Sequence, residues 1–210
     1  MIITQSETVR EKRMKYGRSK EMSISISHLP KNLYFFSKYY AVKETEKMFV
    51  KMYTDGAARG NPDGPGGYGC VLHYTDTNGK LHEKRLSKGY VRTTNNRMEL
   101  MAAIAGFEAL KCPCEVELYS DSKYLVDAFN QHWIDGWLKK GWKRGKNEPV
   151  KNTDLWKRLL KAKEPHKVTF IWVKGHDGHE MNELCDFLAT SAADGNNLSV
   201  DKEMSTTCAK

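Results

Sequence analysis

Apolar and polar residues recur in patterns that predict five strands and five helices between residues 49 and 193. Alternating positions or short apolar runs predict strands at 49–54, 68–74, 81–90, 115–119 and 168–173. Apolar residues at a spacing of about 3.6 predict helices at 95–110, 122–131, 133–138, 152–163 and 182–193. The first three strands can form an antiparallel meander, whereas the later strands follow crossovers and are expected to be parallel. The pattern therefore predicts an α/β domain with a mixed sheet and helices packed on it.

The two ends of the chain lack this patterning. Residues 1–47 hold ten basic and five acidic residues with little apolar periodicity, which predicts a flexible basic extension. Residues 48–193 form the predicted domain. Residues 194–210 begin with Asp-Gly-Asn-Asn, which is typical of a loose polar tail.

Composition excludes some classes of protein and favours a polyanion partner. The 210 residues contain no apolar run near the roughly 20 residues that span a bilayer, so no membrane association is expected. Five cysteines without framework spacing, and no secretory signal, favour a cytoplasmic protein. The net charge is +8, and residues 139–163 hold ten Lys or Arg against two acidic residues. This basic stretch indicates either a polyanion-binding surface or a solvated helix face.

Four carboxylates are candidates for chemistry. Asp55 and Asp121 come at the ends of predicted strands, where functional side chains gather in α/β sheets, although Asp also favours turns and helix caps. Glu99 and Asp186 lie among apolar residues of predicted helices, where the commoner explanation is a solvent-facing acid. If the four converge, they provide the oxygen ligands that Mg²⁺ prefers.

Several short runs together resemble a known family. They are Tyr53-Thr54-Asp55-Gly56, Gly60-Asn61-Pro62 with Gly66-Gly67-Tyr68-Gly69, Thr93 to Leu100, Ser120-Asp121-Ser122, Pro149 to Asn152, and Trp172 to His176 followed by Asp186. In this order and over about residues 49–193, they resemble the ribonuclease H family, type 1. The resemblance implies a five-stranded mixed sheet with helices on it. It also implies an endonuclease that hydrolyses the RNA strand of RNA–DNA hybrids and leaves 5′-phosphate and 3′-hydroxyl ends.

The resemblance also implies roles for individual residues. The metal-binding carboxylates would be Asp55, Glu99, Asp121 and Asp186, holding two Mg²⁺ ions in the substrate complex, with Mn²⁺ able to substitute. His176 would aid proton movement or product release from a mobile loop. Contacts with the RNA strand or with a DNA phosphate would come from Asn61, Thr94, Asn95, Asn96, Arg97 and Asn152.

The basic stretch is similar to the basic protrusion of bacterial family members, which grips the DNA strand. Its candidate contacts are Trp133, Trp137, Lys139, Lys140, Lys143 and Arg144. Aromatic rings pack on sugars or bases while basic side chains pair with phosphates. The alternative places Trp133 and Trp137 in the core as anchors, as we expect for Trp156.

Other functions are less well supported by the residues. His176, His179 and Cys185 match no common zinc spacing. A hybrid-binding protein without activity would not need all four carboxylates and His176. A nuclease domain cut from a reverse transcriptase is the other alternative, but the chain is short, lacks polymerase segments and starts at Met1. We expect a free-standing, monomeric enzyme whose catalytic domain could begin at Met48. Residues 38–42 only faintly resemble the start of a hybrid-binding domain, which favours a remnant or an upstream start codon.

Overall fold

A computed structural model gives the structure of residues 47–61 and 64–206. The predicted flexible extension therefore lies outside the described residues, apart from Lys47. No helix in the described part of the chain is long and apolar enough to cross a membrane.

The central element is a six-stranded mixed sheet. The described residues form eight strands, six of which belong to this sheet. They are β1 (Met48–Ala58), β2 (Gly66–Thr75), β3 (Leu81–Tyr90), β4 (Cys114–Ser120), β5 (Lys143–Arg144), β6 (Glu148–Pro149), β7 (Lys167–Trp172) and β8 (Leu198–Ser199). The order across the sheet is β7-β4-β1-β2-β3-β8, while β5 and β6 form a separate ribbon. Strands β1 to β3 pair antiparallel, and β4, β7 and β8 join in parallel. The predicted α/β fold is confirmed, and the five predicted strands are all present.

Helices cover both faces of this sheet. They are α1 (Asn95–Glu108), α2 (Lys123–Asn130), α3 (Trp133–Lys139), α4 (Thr153–Lys163), α5 (Glu180–Ala193) and α6 (Lys202–Thr206). Local polar residues set two of the starts. Thr94 caps α1 by accepting from the Arg97 N–H at 3.3 Å, and Ser122 caps α2 by accepting from the Leu125 N–H at 3.2 Å.

Alternation along β1 divides the core between the two faces. Val50 and Met52 face a large cluster that includes Phe107 of α1 and Trp156 of α4. Tyr53 faces a smaller cluster with Val71 of β2 and Cys185 of α5. Because side chains in a strand alternate, β1 lies between α1 on one side and α5 on the other. Both helices can therefore bring a side chain to the same end of β1.

Two sequence-based expectations are wrong in detail. Asp55 does not end the first strand, because β1 continues to Ala58 and pairs with Gly66 to Gly69 of β2. The expected loose tail is ordered over residues 198–206, since β8 pairs with Gly89 and Tyr90 of β3 and α6 follows. The side chain of Asp201, 8% exposed, accepts from Arg97 and Thr93 and so ties this segment to the domain.

Candidate active site

Asp55 is buried near the end of β1, and glycines let two helices approach it. Its carboxylate accepts the Gly56 N–H at 2.7 Å. A Cβ atom at Gly56 would overlap the backbone of Glu99 in α1, and one at Gly69 would overlap the carbonyl of Cys185 in α5. The two glycines therefore allow close approach of the helices that carry Glu99 and Asp186.

Glu99 is held by two polar neighbours. The Asn95 amide, one helical turn earlier, donates to Oε1 at 2.8 Å, and the Ser122 hydroxyl donates to Oε2. Burial raises the pKa of Glu99, the Asp121 carboxylate raises it further, and the two hydrogen bonds oppose the rise. Glu99 thus points to the ends of β1 and β4. The commoner explanation of a helical acid, that it faces bulk solvent, does not apply to Glu99.

Asp121 follows β4, accepts two hydrogen bonds and lies close to Gly175. The buried Asn182 of α5 donates its amide Nδ2 to Oδ2 at 3.4 Å. The Trp172 indole N–H donates to the Asp121 carbonyl at 3.1 Å. A Cβ at Gly175 would come within 2.6 Å of Oδ2. The sequence pattern found Asp121 but did not indicate Asn182 or Ser122 as partners of the acids.

The four acids Asp55, Glu99, Asp121 and Asp186, here called the carboxylate cluster, interact electrostatically. Burial raises the pKa of Asp55 to about 8, with further contributions from Asp121, Asp186 and Glu99, while the Gly56 N–H opposes the shift. Because charges interact strongly only at short range in a solvated protein, four elements bring these groups to one place. The electrostatic neighbours of Asp55 therefore come from three other parts of the chain.

The cluster is an open set of oxygen donors. In the described part of the chain, no group of three or more His, Cys, Asp or Glu side chains is gathered closely enough to hold a metal ion. Mg²⁺ keeps several waters and takes only one or two carboxylates together with substrate phosphate oxygens. The carboxylates that raise the pKa of Asp55 and Glu99 also favour an added cation. The donor chemistry therefore fits Mg²⁺ better than zinc, which takes nitrogen and sulfur ligands in a closed tetrahedron.

His176 lies in the loop between β7 and α5. The residue is exposed and adopts a left-handed backbone conformation with φ of 53°. Its neighbour Gly175 packs against Asp121. The Lys174 ammonium and the Asp177 carboxylate pair at 3.1 Å across the loop. The loop that carries His176 therefore passes beside Asp121 at Gly175.

Apart from Arg97, two of the predicted substrate-contact residues are exposed, and three make hydrogen bonds to other groups of the protein. Asn61 and Asn96 are exposed, at the turn after β1 and in the first turn of α1. Asn95 is committed to Glu99, and the Thr94 hydroxyl caps α1. Asn152 precedes α4 with φ of 57° and donates its amide to the Tyr124 hydroxyl at 3.3 Å.

Arg97 does not have the placement expected of a substrate contact. Its side chain is 5% exposed and forms paired hydrogen bonds with Asp201, at 2.6 and 2.8 Å, and with Asp154, at 3.0 and 2.7 Å. The guanidinium is neutralised inside the protein, so the structure assigns it to holding α1, α4 and the C-terminal segment together. No pattern near Arg97 indicates these partners.

The first part of the basic stretch lies in α3 and the β5–β6 ribbon, which are together called the protrusion here. Trp133, Trp137 and Trp142 are half-buried, with neighbouring ring centroids 6.4 Å apart, and Trp137 meets the buried Trp156 at 5.4 Å. The four predicted basic contacts are exposed: Lys139, Lys140, Lys143 and Arg144. Trp156 is fully buried, as expected. The tryptophans anchor the protrusion, and its basic side chains face solvent.

Comparison with known proteins places the chain in a family. The sequence profile described as RNase H matches residues 47–194. A ribonuclease H of Lachnoclostridium phytofermentans is 71% identical over 154 residues, which cover 73% of this chain and 98% of the relative. A ribonuclease H of Desulforamulus reducens is 55% identical over 152 residues, covering 72% of this chain and 92% of the relative.

A solved structure gives the same result. The crystal structure of LC9-RNase H1, a type 1 RNase H with the type 2 active-site motif, superposes with a TM-score of 0.66 at 31% identity, covering 78% of this chain and 82% of that one. The chain therefore belongs to the ribonuclease H family, type 1, the endoribonucleases that cleave the RNA strand of RNA–DNA hybrids.

Proposed function

We propose that this protein hydrolyses the RNA strand of RNA–DNA hybrids at the carboxylate cluster, with Mg²⁺ as the resident ion and Mn²⁺ able to replace it. The observation that carries the proposal is the effect of Asp121, Asp186 and Glu99 on Asp55, whose pKa is raised to about 8 by burial and by these neighbours. Such mutual repulsion is costly in a folded protein unless the charges serve a cation.

Asp55, Glu99, Asp121 and Asp186 would hold the metal, two ions in the substrate complex. A bound ion of this kind lowers the pKa of water and neutralises the charge that develops at phosphorus. The water oxygen would bond to phosphorus and give up a proton, the bond from phosphorus to the ribose 3′-oxygen would break, and that oxygen would take up a proton. The products are a 5′-phosphate and a 3′-hydroxyl. Asn95 and Ser122 orient Glu99 for this task through their hydrogen bonds.

His176 would handle protons at the rim of the cluster. Its imidazole is exposed on a loop that passes beside Asp121 at Gly175, and from there it would exchange protons between solvent and the leaving group. General acid–base groups of this type contribute about 10²–10⁴ in rate. His176 would therefore accelerate the reaction without being a ligand.

Selection of the RNA strand needs groups that sense the 2′-hydroxyl as donor or acceptor. Amide side chains offer both functions. Asn61 and Asn96 are exposed near the cluster-bearing elements, and Asn95 has a second donor hydrogen beyond the one it gives to Glu99. Thr94 and Asn152 would contact a DNA phosphate, whereas the buried Arg97 would act only by supporting α1.

The protrusion would bind the DNA strand. Its exposed Lys139, Lys140, Lys143 and Arg144 present positive charge to phosphates. The edges of Trp133 and Trp137 that remain outside the core would pack on sugars.

We also propose that the protein acts as a cytoplasmic monomer. In the described part of the chain, Cys70, Cys112, Cys114 and Cys185 are free thiols, which is typical of a reducing compartment. Gel filtration with light scattering measures the mass of the protein in solution, and the mass of a dimer would contradict the proposed monomer.

A substrate panel tests the proposed activity. Labelled RNA–DNA hybrid, double-stranded RNA and double-stranded DNA are each incubated with Mg²⁺, with Mn²⁺ or with a chelator. The proposal predicts cleavage of the hybrid RNA strand with either ion, and of no other strand. Equal cleavage of double-stranded RNA, or cleavage in chelator, would contradict it.

A further inference from the structure

Asn182 is a buried polar residue on an otherwise apolar helix face. It is 3% exposed and lies on the side of α5 that also buries Cys185, Ala189 and Ala193. An amide at such a position costs free energy unless its hydrogen-bonding groups find partners. Asn182 therefore needs an explanation that packing alone does not supply.

The Asn182 amide is only half satisfied. Its Nδ2 donates to Oδ2 of Asp121 at 3.4 Å. Its Oδ1 is buried without a hydrogen-bond partner. The reverse orientation of the amide would place Oδ1 against the Asp121 carboxylate, oxygen against oxygen, so electrostatics fixes the donor towards Asp121. In this orientation, Oδ1 stays buried without a hydrogen-bond donor.

The contact joins two parts of the carboxylate cluster. Asn182 lies one helical turn before Asp186 in α5, while Asp121 follows β4. A hydrogen bond between them relates the position of one acid to the helix that carries another. Groups that donate to a metal-binding carboxylate orient it and tune its affinity for the ion.

We propose that Asn182 is a positioning residue that holds the Asp121 carboxylate in its metal-binding orientation. The proposal rests on the proposed function, in which Asp121 is a ligand. It implies that Asn182 serves ion binding at the expense of fold stability, because a leucine of similar size would leave no polar atom unsatisfied. A residue kept only for structure would stabilise the fold and would have no effect on ion binding.

The test separates these two roles by measuring Mg²⁺ binding without catalysis. Thermal unfolding of the full chain is recorded against Mg²⁺ concentration, since an ion that binds the folded state raises the melting temperature. The variants are Asn182→Leu and the smaller Asn182→Ala. Thr54→Val is the matched control, because the Thr54 hydroxyl is also buried without a partner and its side chain lies on the opposite face of β1 from Asp55.

We expect Asn182→Leu to melt, without metal, at or above the temperature of the natural protein. Both Asn182 variants should need about 10–100-fold more Mg²⁺ for half of the stabilisation. Thr54→Val should need the same Mg²⁺ concentration as the natural protein. Hybrid cleavage by the Asn182 variants should recover as Mg²⁺ is raised.

An unchanged Mg²⁺ requirement in both Asn182 variants would overturn the inference. So would a metal-free melting temperature that falls strongly in both, since Asn182 would then be a structural residue. Failure of the proposed function is a separate result, because in that case the natural protein itself would neither gain stability from Mg²⁺ nor cleave the hybrid.

Discussion

The carboxyl group of Asp55 in β1 lies beside the Asp121 carboxylate that follows β4, and the two repel each other. Burial is the larger cause and Asp121 the second in raising the pKa of Asp55 to about 8. The parallel pairing of β1 with β4, which aligns Thr54 with Ser120, brings the two acids to the same edge of the sheet. This relationship makes the metal-free protein sensitive to pH.

We predict that stability of the metal-free protein falls as the pH rises from about 4 to about 8. An unfolded Asp ionises near 3.8, whereas the folded Asp55 keeps its proton up to about 8, so the folded state binds more protons within this window. Each pH unit then costs up to about 1.4 kcal/mol. Urea unfolding in chelator at several pH values measures the slope.

Asp55→Asn is the comparison for this experiment. An amide is neutral in both states, so the variant should lose this part of the pH dependence and gain stability relative to the natural protein at about pH 8. Identical pH profiles for the two proteins would show that Asp55 is not perturbed. Mg²⁺ should restore stability to the natural protein most strongly at high pH, where the carboxylate is available.

Asp201→Ala should destabilise the fold by about 3 kcal/mol. Removing one partner of a buried ion pair is costly because it leaves the other charge, here the Arg97 guanidinium, buried without that partner. Arg97 and Asp201 are 5% and 8% exposed, and Asp154 would remain as a weaker partner. Urea unfolding measures the change. Val200→Ser, at a neighbouring exposed site, is the control. A loss no larger than that of the control would mean that the C-terminal segment is dispensable.

His176→Ala should slow hybrid cleavage by about 10²–10⁴-fold while leaving detectable activity. The matched control is His132→Ala, because His132 is also an exposed histidine with a left-handed backbone, at φ of 58° against 53°. Single-turnover rates with saturating hybrid compare the two variants. If His176→Ala lost all activity, the imidazole would be better explained as a ligand.

Neutralising Lys139, Lys140, Lys143 and Arg144 with glutamine should weaken hybrid binding and flatten its salt dependence. Each lost phosphate contact lowers the slope of log affinity against log salt by roughly 0.7–0.9. The control replaces four exposed lysines outside residues 139–163, Lys51, Lys80, Lys84 and Lys111, and so changes the net charge equally. Equal slopes for the two variants would favour the solvated-face interpretation of the protrusion.

The sequence predicted the strands and helices because apolar periodicity follows local geometry. Phe49 to Thr54 and Val168 to Val173 fall within or next to the strands found. The order of the C-terminal segment was not predictable, because it depends on Arg97 and Asp201, 104 residues apart. An Asp in a polar tail has the same local pattern whether it is buried or solvated.

The sequence predicted which residues form the site, but it did not predict how they are arranged in space. The motif resemblance identified the four carboxylates, but their convergence depends on Gly56 and Gly69, which let α1 and α5 approach the sheet. Periodicity does not reveal which glycine permits a close approach. Asn182 could have been noticed as a polar residue one turn before Asp186, but nothing in the sequence indicates that it reaches Asp121.

The most direct test of the account is single-turnover cleavage of an RNA–DNA hybrid by Asp121→Asn with saturating Mg²⁺. The substitution keeps the shape of the side chain and removes one metal-binding charge, so we predict a rate lower by at least about 10³-fold with a melting temperature within a few degrees. Asp135→Asn, at an exposed acid of α3, should retain the natural rate. Undiminished cleavage by Asp121→Asn would contradict the assignment of the carboxylate cluster as the active site.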